Sequence, residues 1–222
     1  TPLRADGKGL GAEFDGVFND MVSGPNMRFL MENGFLCDYE IVCPSSDLKV
    51  SDEDKSANGD WSNQTLRKAA KKSHIVGDTV ENYCKYAYGR RAIVFATDVE
   101  TSGEIASNFM AAGIPAASLS AKTPLAVREK YITDFREGRI WVLVNVDLFD
   151  EGFDVPACDV VILARPTASL GKYRQMVGRA LRFMTGKTAL IIDQVSNVVR
   201  HKLPDRDMVW SLTRRDKRGS SE

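Results

Sequence analysis

Neither sign of charge predominates in this chain: 30 Lys and Arg residues face 30 Asp and Glu, and the formal net charge is zero. A neutral molecule has no global field with which to draw in nucleic acid, so any such attraction has to be local. Cysteine is sparse. Cys37, Cys43, Cys84 and Cys158 lie far apart with no C-x-x-C pair, which argues against a disulfide framework or a zinc site and for reduced thiols in an intracellular, cytoplasmic setting. No secretory leader and no apolar run approaching a membrane span is visible. A phosphate loop is missing too. Gly186, Lys187 and Thr188 match the last letters of G-x-x-x-x-G-K-[ST], but the first glycine would fall at Leu181, and the stretch enters a strand instead of leaving one, so it reads as a turn. Asp150 and Glu151 stand several residues beyond the apolar strand, the wrong place for a magnesium pair. The chain opens on Thr1 and Pro2 without a methionine and reads as a fragment of something longer.

What is present suffices for a full core: 222 residues, 43% hydrophobic and 27% charged, are ordinary for a soluble α/β domain. The first 34 residues begin glycine-rich and pass into a stretch predicted as a short helix ended by Gly24 and Pro25. A strand is expected over 36–43, an exposed polar loop over 44–62, a short basic helix over 63–73, and a helix opened by an Asp78/Glu81 capping box and ending near Gly89. From Arg91 the texture changes. Apolar runs at 92–96, 116–120, 140–146, 160–164 and 189–193 alternate with helical periodicity over 99–112, 124–138 and 173–182. That alternation predicts an α/β fold, an open and mainly parallel sheet with helices on both faces. The tail, 196–222, holds an amphipathic stretch from Met208 to Leu212 and then a basic run predicted to be disordered.

Charge is segregated along the chain. Six basic and no acidic residues fall between Arg165 and Lys187, and five acidic and no basic ones between Asp147 and Asp159. Within the basic stretch, 173–182 reads Y-R-Q-M-V-G-R-A-L-R. Helical spacing puts Gln175, Arg179 and Arg182 on one face and Tyr173, Val177, Ala180 and Leu181 on the other. Gly178 costs a helix about 1 kcal/mol relative to alanine, so something is expected to approach the backbone there. In an open parallel sheet, ligands sit beyond the carboxyl ends of the strands. Three loops belong to that edge: the one after Ala96, the one after Val146, and the one from Arg165 into the helix. In the second, Gly152 permits a turn near a ligand, and Asp154 could accept from a ribose hydroxyl; a plain polar turn ended by Pro156 is the equal alternative. Two arginines on a helix without a phosphate loop suit stabilisation of a transferring γ-phosphoryl from across a cleft, and guanidinium fits because it stays charged and its fork matches phosphate oxygens. A merely solvated basic face is the competing reading.

The runs A-I-V-F-A-T-D at 92–98, V-L-V-N-V-D-L-F-D-E-G-F-D-V-P at 142–156 and Q-M-V-G-R-A-L-R at 175–182 resemble motifs IV, V and VI of superfamily 2 (DEAD/DEAH-like) helicases, in the family's order and over about half the chain. The opening T-P-L-R and the segment 193–205 resemble the branch containing repair helicases and restriction-enzyme motor subunits. The resemblance implies a C-terminal RecA-like domain, with 1–34 as the end of motif III and an interdomain linker, 35–195 as the domain and 196–222 as a tail. It implies that Arg179 and Arg182 reach the γ-phosphate of ATP, that Gln175 positions that phosphate or the attacking water, and that Gly152 and Asp154 lie near the nucleotide sugar. Asn145 stands where the family has a threonine that contacts nucleic acid, an asparagine being able to bind a phosphate oxygen. Thr97, Asp98 and Arg128 are further candidates along the strand, and Gln194 stands where histidine is usual. ATP and Mg2+ would be held mainly by the N-terminal RecA-like domain of the same protein, the expected partner together with DNA, RNA being left open. No metal site and no membrane partner is expected of this chain, and alone it should not hydrolyse ATP. The rivals are a non-catalytic nucleic-acid-binding module and a self-contained nucleotide enzyme.

Overall fold

Strands covered on both faces need apolar side chains at every position, not only at alternate ones, and the four-residue run Ala92–Phe95 is buried throughout. The computed structural model describes residues 8–14, 16–148 and 158–213. Six strands, β1 (Tyr39–Val42), β2 (Ala92–Phe95), β3 (Ala116–Ser120), β4 (Val142–Val146), β5 (Val160–Leu163) and β6 (Ala189–Asp193), form one sheet in the order β1-β6-β5-β2-β4-β3. Every pairing is parallel. The central strand β2 pairs Phe95 with Asn145 on one side and with Leu163 on the other, so the turns that follow β2, β4 and β5 leave the sheet at one level.

Alternation along the strands divides the core in two. Ile93, Phe95, Leu143, Val161 and Ile191 pack with Met27 and Met31 of α1 (Met27–Glu32), Ile132 and Phe135 of α5 (Leu125–Arg136), and Tyr173, Met176 and Val177 of α6 (Leu170–Gly178). Val94, Val144, Val160, Ile162 and Ile192 pack the other way, against Ala70 of α2 (Asn63–Lys71), Ile75 and Tyr83 of α3 (Ile75–Tyr86), and Ile105 and Phe109 of α4 (Val99–Ala111). Each such side chain, fully buried, contributes about 1.5–3 kcal/mol of transfer free energy. The Tyr83 and Phe109 rings meet edge-on with centroids 5.3 Å apart, the arrangement their quadrupoles favour. The expected open parallel sheet with helices on both faces is thus observed.

Several local expectations are corrected. The first helix follows Pro25 instead of ending there, because Asn26 caps it: its side chain accepts from the Phe29 amide at 2.8 Å. Asp78 does not start a helix. It lies inside α3, which begins at Ile75, where the His74 amide and ring bond the Asp47 carboxylate at 2.9 and 2.7 Å. Residues 44–62 are not simply an exposed loop, since Trp61 and Leu48 are buried and the indole Nε1 donates to the Ser51 carbonyl at 2.6 Å. The amphipathic stretch of the tail is irregular: residues 203–213 run as a strap beyond α7 (Asn197–His201). The strap is held to the amino-terminal segment, with the amides of Leu10 and Gly11 donating to the Leu212 carbonyl and Tyr39 and Arg28 bonded to Asp205.

Candidate functional site

At the carboxyl edge, the turn after β2 carries Thr97 and Asp98. Asp98 is the N-cap of α4: one carboxylate oxygen accepts from the amides of Glu100 and Thr101, the other from the hydroxyls of Thr97 and Thr101 at 2.9 and 2.7 Å. Its charge is therefore spent on helix donors, and the Thr97 hydroxyl is wholly buried against it. Beside it, buried Asn145 accepts from the Leu148 amide at 3.0 Å, which turns the chain out of β4. Arg128 braces the turn before α5 by donating to the carbonyls of Thr123 and Ala121 at 3.1 and 3.4 Å. Gln194, at the end of β6, accepts from the buried Thr79 hydroxyl at 2.9 Å and so ties α3 to the sheet. Gly152, Asp154 and the Asp150–Glu151 pair lie outside the described residues.

Asp147, the first residue of the acidic stretch, meets Arg165 and Lys172 of the basic one at this edge. Asp147, in the left-handed region at φ 53, lies 2.5 Å from Arg165 and 2.9 Å from Lys172, and Asn63 donates to it at 3.3 Å. Burial pushes the Asp147 carboxyl up, but the Arg165 charge, the hydrogen bond and charge of Lys172 and the Asn63 hydrogen bond together hold it below the ordinary carboxylate range. Arg165 is 6% exposed, and its Nη2 also donates to Asn63 at 3.1 Å. These four residues come from the turn after β4, the segment after β5, α6 and α2.

The arginine-bearing segment differs from a ten-residue helix. α6 stops at Gly178, and Arg179 is its C-cap. The next amides bond three residues back, Ala180 to Val177 and Leu181 to Gly178, a tightening common at helix ends. Arg182 lies beyond, bridged to Leu36, with Cys37 donating to the Leu181 carbonyl at 3.0 Å. Tyr173, Val177, Ala180 and Leu181 are fully buried, as the apolar stripe predicted. Gln175 and Arg179 are one turn apart, whereas Arg182 is oriented by the extended chain. α6 starts beyond the carboxyl end of β5, and Arg179 lies nine residues of helical rise, about 13 Å, along its axis from Leu170; Arg182 follows outside the helix. Among the described residues, and apart from its chain neighbours and the helix's own backbone, no atom lies within 4 Å of a Cβ added at Gly178. Exposed Gln175 lines a cavity of about 1070 Å³ with Arg174, Leu10, Phe18, Met208 and Trp210.

Sequence reasoning missed the residues that hold the turn leading into α6. Asp60 accepts from the Thr167 hydroxyl at 2.7 Å and the Ala168 amide at 2.8 Å. Asn197 bonds the Thr167 amide and the Arg165 carbonyl, both at 3.0 Å, and His201 Nε2 donates to the Thr167 carbonyl at 2.7 Å. Only the turn sequence R-P-T at 165–167 hinted that something had to fix it. Among the described residues, no three His, Cys, Asp or Glu side chains group to hold a metal, and no helix is long and apolar enough to cross a membrane.

The profile described as the helicase conserved C-terminal domain matches residues 72–184, just over half of the chain. A 51.5 kDa protein of a Lactococcus phage is 44% identical over 211 residues, 95% of this chain and 45% of that protein. A Schizosaccharomyces pombe protein named as a mitochondrial ATP-dependent helicase, irc3, is 31% identical over 207 residues, 91% of this chain and 33% of that protein. A fragment of an HsdR subunit of a type I restriction enzyme from Vibrio vulnificus has a TM-score of 0.68 at 22% identity, over 92% of this chain and 40% of that one, a likeness of fold. The chain spans less than half the length of these two curated relatives.

Proposed function

The chain belongs to the family of helicase conserved C-terminal domains, with a RecA-like parallel sheet, and we propose that it is the second motor domain of an ATP-driven DNA helicase or translocase. One observation carries the reading: Arg179 and Arg182 close the end of α6 in a chain whose sequence contains no phosphate loop. Cations so placed act on phosphates held by something else. With no phosphate loop in this sequence, the reading assigns the magnesium ion and the phosphate cradle to a first motor domain.

In this reading Arg179 and Arg182 neutralise the charge that develops on the γ-phosphoryl oxygens when the two domains close, a contribution of about a thousandfold to a hundred-thousandfold in rate. Gln175, one turn before Arg179, positions the phosphate or the attacking water. Gly152 and Asp154 are assigned to the nucleotide sugar on motif grounds. The nucleic-acid track runs over the carboxyl edge, where buried Asn145 turns the chain out of β4 and Thr97 and Arg128 hold the turns beside it. DNA is the proposed track because the motif segments resemble the repair and restriction branch.

The test is ATP hydrolysis by the chain alone and joined to a first motor domain, each with duplex DNA, single-stranded DNA and RNA. The joined protein should turn over ATP faster with DNA than with RNA, and the chain alone should not turn over. Hydrolysis by the chain alone would assign the complete site to it. Salt-sensitive DNA binding without turnover in the joined protein would favour a binding module instead.

A further inference from the structure

The segment 165–168, which launches α6, is fixed almost entirely by side chains from elsewhere. Asn197 holds the Arg165 carbonyl and the Thr167 amide, and His201 holds the Thr167 carbonyl while its ring stacks on Tyr173 of α6 with centroids 5.2 Å apart. The remaining donors, the Thr167 hydroxyl and the Ala168 amide, go to the two oxygens of Asp60. Thr167 then accepts from Ser169, and the Ser169 side chain caps α6 by accepting from the Lys172 amide at 3.2 Å. Asp60 thus heads a relay of short bonds into the first turn of the helix.

Asp60 is itself held rigidly. It is 9% exposed, its carbonyl accepts from the Ser56 hydroxyl and amide at 2.7 and 2.9 Å, and the next residue, Trp61, is 3% exposed. The Trp61 ring has Lys55 5.3 Å and Arg200 4.8 Å from its centroid, within the range at which a cation is attracted to the ring face. Arg200 also pairs with Asp52 at 2.9 Å, so the 44–62 segment is clasped to α7. These contacts keep the Asp60 carboxylate in one place.

We propose that Asp60 is a positioning residue, through which the docked 44–62 segment sets the direction of α6 and so the aim of Gln175, Arg179 and Arg182; this rests on the motor-domain reading above. The lever is short and sensitive. A tilt of about 10° at the start of a nine-residue helix displaces its far end by about 2 Å, and a misplacement of about 1 Å near a reacting centre can cost about a hundredfold in rate.

The experiment compares Asp60→Ala, Asp60→Asn, Thr167→Val and the Asp60→Ala/Thr167→Val double variant in the chain joined to its first motor domain, reading DNA-stimulated turnover, melting temperature and amide hydrogen exchange. Asp60→Ala should lower kcat about tenfold or more, with KM for ATP and the half-saturating DNA concentration within about twofold of wild type. Exchange should quicken over residues 167–178 while the strands stay protected. Asp60→Asn, which keeps an acceptor for the Ala168 amide, should retain most of the rate, and the double variant should be no worse than Asp60→Ala. Wild-type kcat in folded Asp60→Ala, unchanged exchange in 167–178, or additive losses in the double variant would each overturn the proposal. Absence of stimulated turnover in the wild-type joined protein overturns the motor-domain reading instead. The exchange data separate the two, because they report on α6 whatever the activity.

Discussion

Asp147 and Arg165, 2.5 Å apart, link the ends of β4 and β5, two strands that are not neighbours because β2 lies between them. The pair closes over the end of the central strand and joins the exit of Asn145 to the segment that leads to α6. Arg165 is buried and Asp147 is partly open, so Asp147→Ala strands a cation that water reaches poorly. The expected loss is about 2 kcal/mol, below the 3–5 of a fully buried pair, read from denaturant unfolding. Asp147→Ala combined with Arg165→Met should recover part of it, since the unpaired charge is then gone.

Arg179→Ala and Arg182→Ala in the joined protein should each lower DNA-stimulated kcat by about a thousandfold or more, with ATP binding retained. Stopped-flow binding of a fluorescent ATP analogue beside steady-state turnover separates the two effects. Wild-type turnover in either variant would sink the assignment.

At Gly178, a methyl group meets no atom of the described residues outside the local helix, and alanine favours a helix by about 1 kcal/mol over glycine. Gly178→Ala should therefore unfold no more easily than wild type, and up to that amount less easily. If a first domain or a phosphate approaches the backbone there on closure, stimulated turnover falls all the same. Stability preserved with activity lost would identify Gly178 as a contact made only in the closed motor.

Acid should destabilise the fold by a calculable sign. Asp134 is held below its ordinary value by hydrogen bonds from Lys130 and then Arg139. Asp147 is pushed up by burial but held low on balance by Arg165, Lys172 and Asn63. For both, the unfolded chain binds protons first, so their contribution is present above the ordinary carboxylate value and is lost as the pH falls through the folded values. Asp193 runs the opposite way. Burial raises it against hydrogen bonds from the amides of Val198, Asn197 and Val195, so its ionisation costs stability as the pH rises through its folded value. Urea midpoints across about pH 3 to pH 7 should show a shallower acid limb in Asp134→Asn and a smaller decline at higher pH in Asp193→Asn.

Legibility in the sequence followed the range of the interactions. The runs at 92–95, 142–146, 160–163 and 189–193 were readable because a strand buried on both faces has to be almost wholly apolar; all four are buried throughout, and their polar members are Asn145 and Asp193. The buried side of α6 was readable from its spacing. Its end was not: Gly178, the backward bonds of Ala180 and Leu181, and the Arg182 bridge to Leu36 depend on a segment some 145 residues away. Thr97 and Asp98 looked like ligand contacts, and in the fold Asp98 is occupied as the cap of α4.

By itself, then, the sequence determined the class of sheet, the two faces of its core, the order of elements and the basic residues on α6, since each is written in local periodicity and short motifs. Only the tertiary structure decided what holds the start of that helix and where it ends. It brought Asp147 after β4 to Arg165 after β5, set Asp60 against the turn before α6 across 107 residues, and turned a polar stretch into a docked support. Such contacts hang on single hydrogen bonds and ion pairs between distant segments, and a residue pattern does not encode its remote partner.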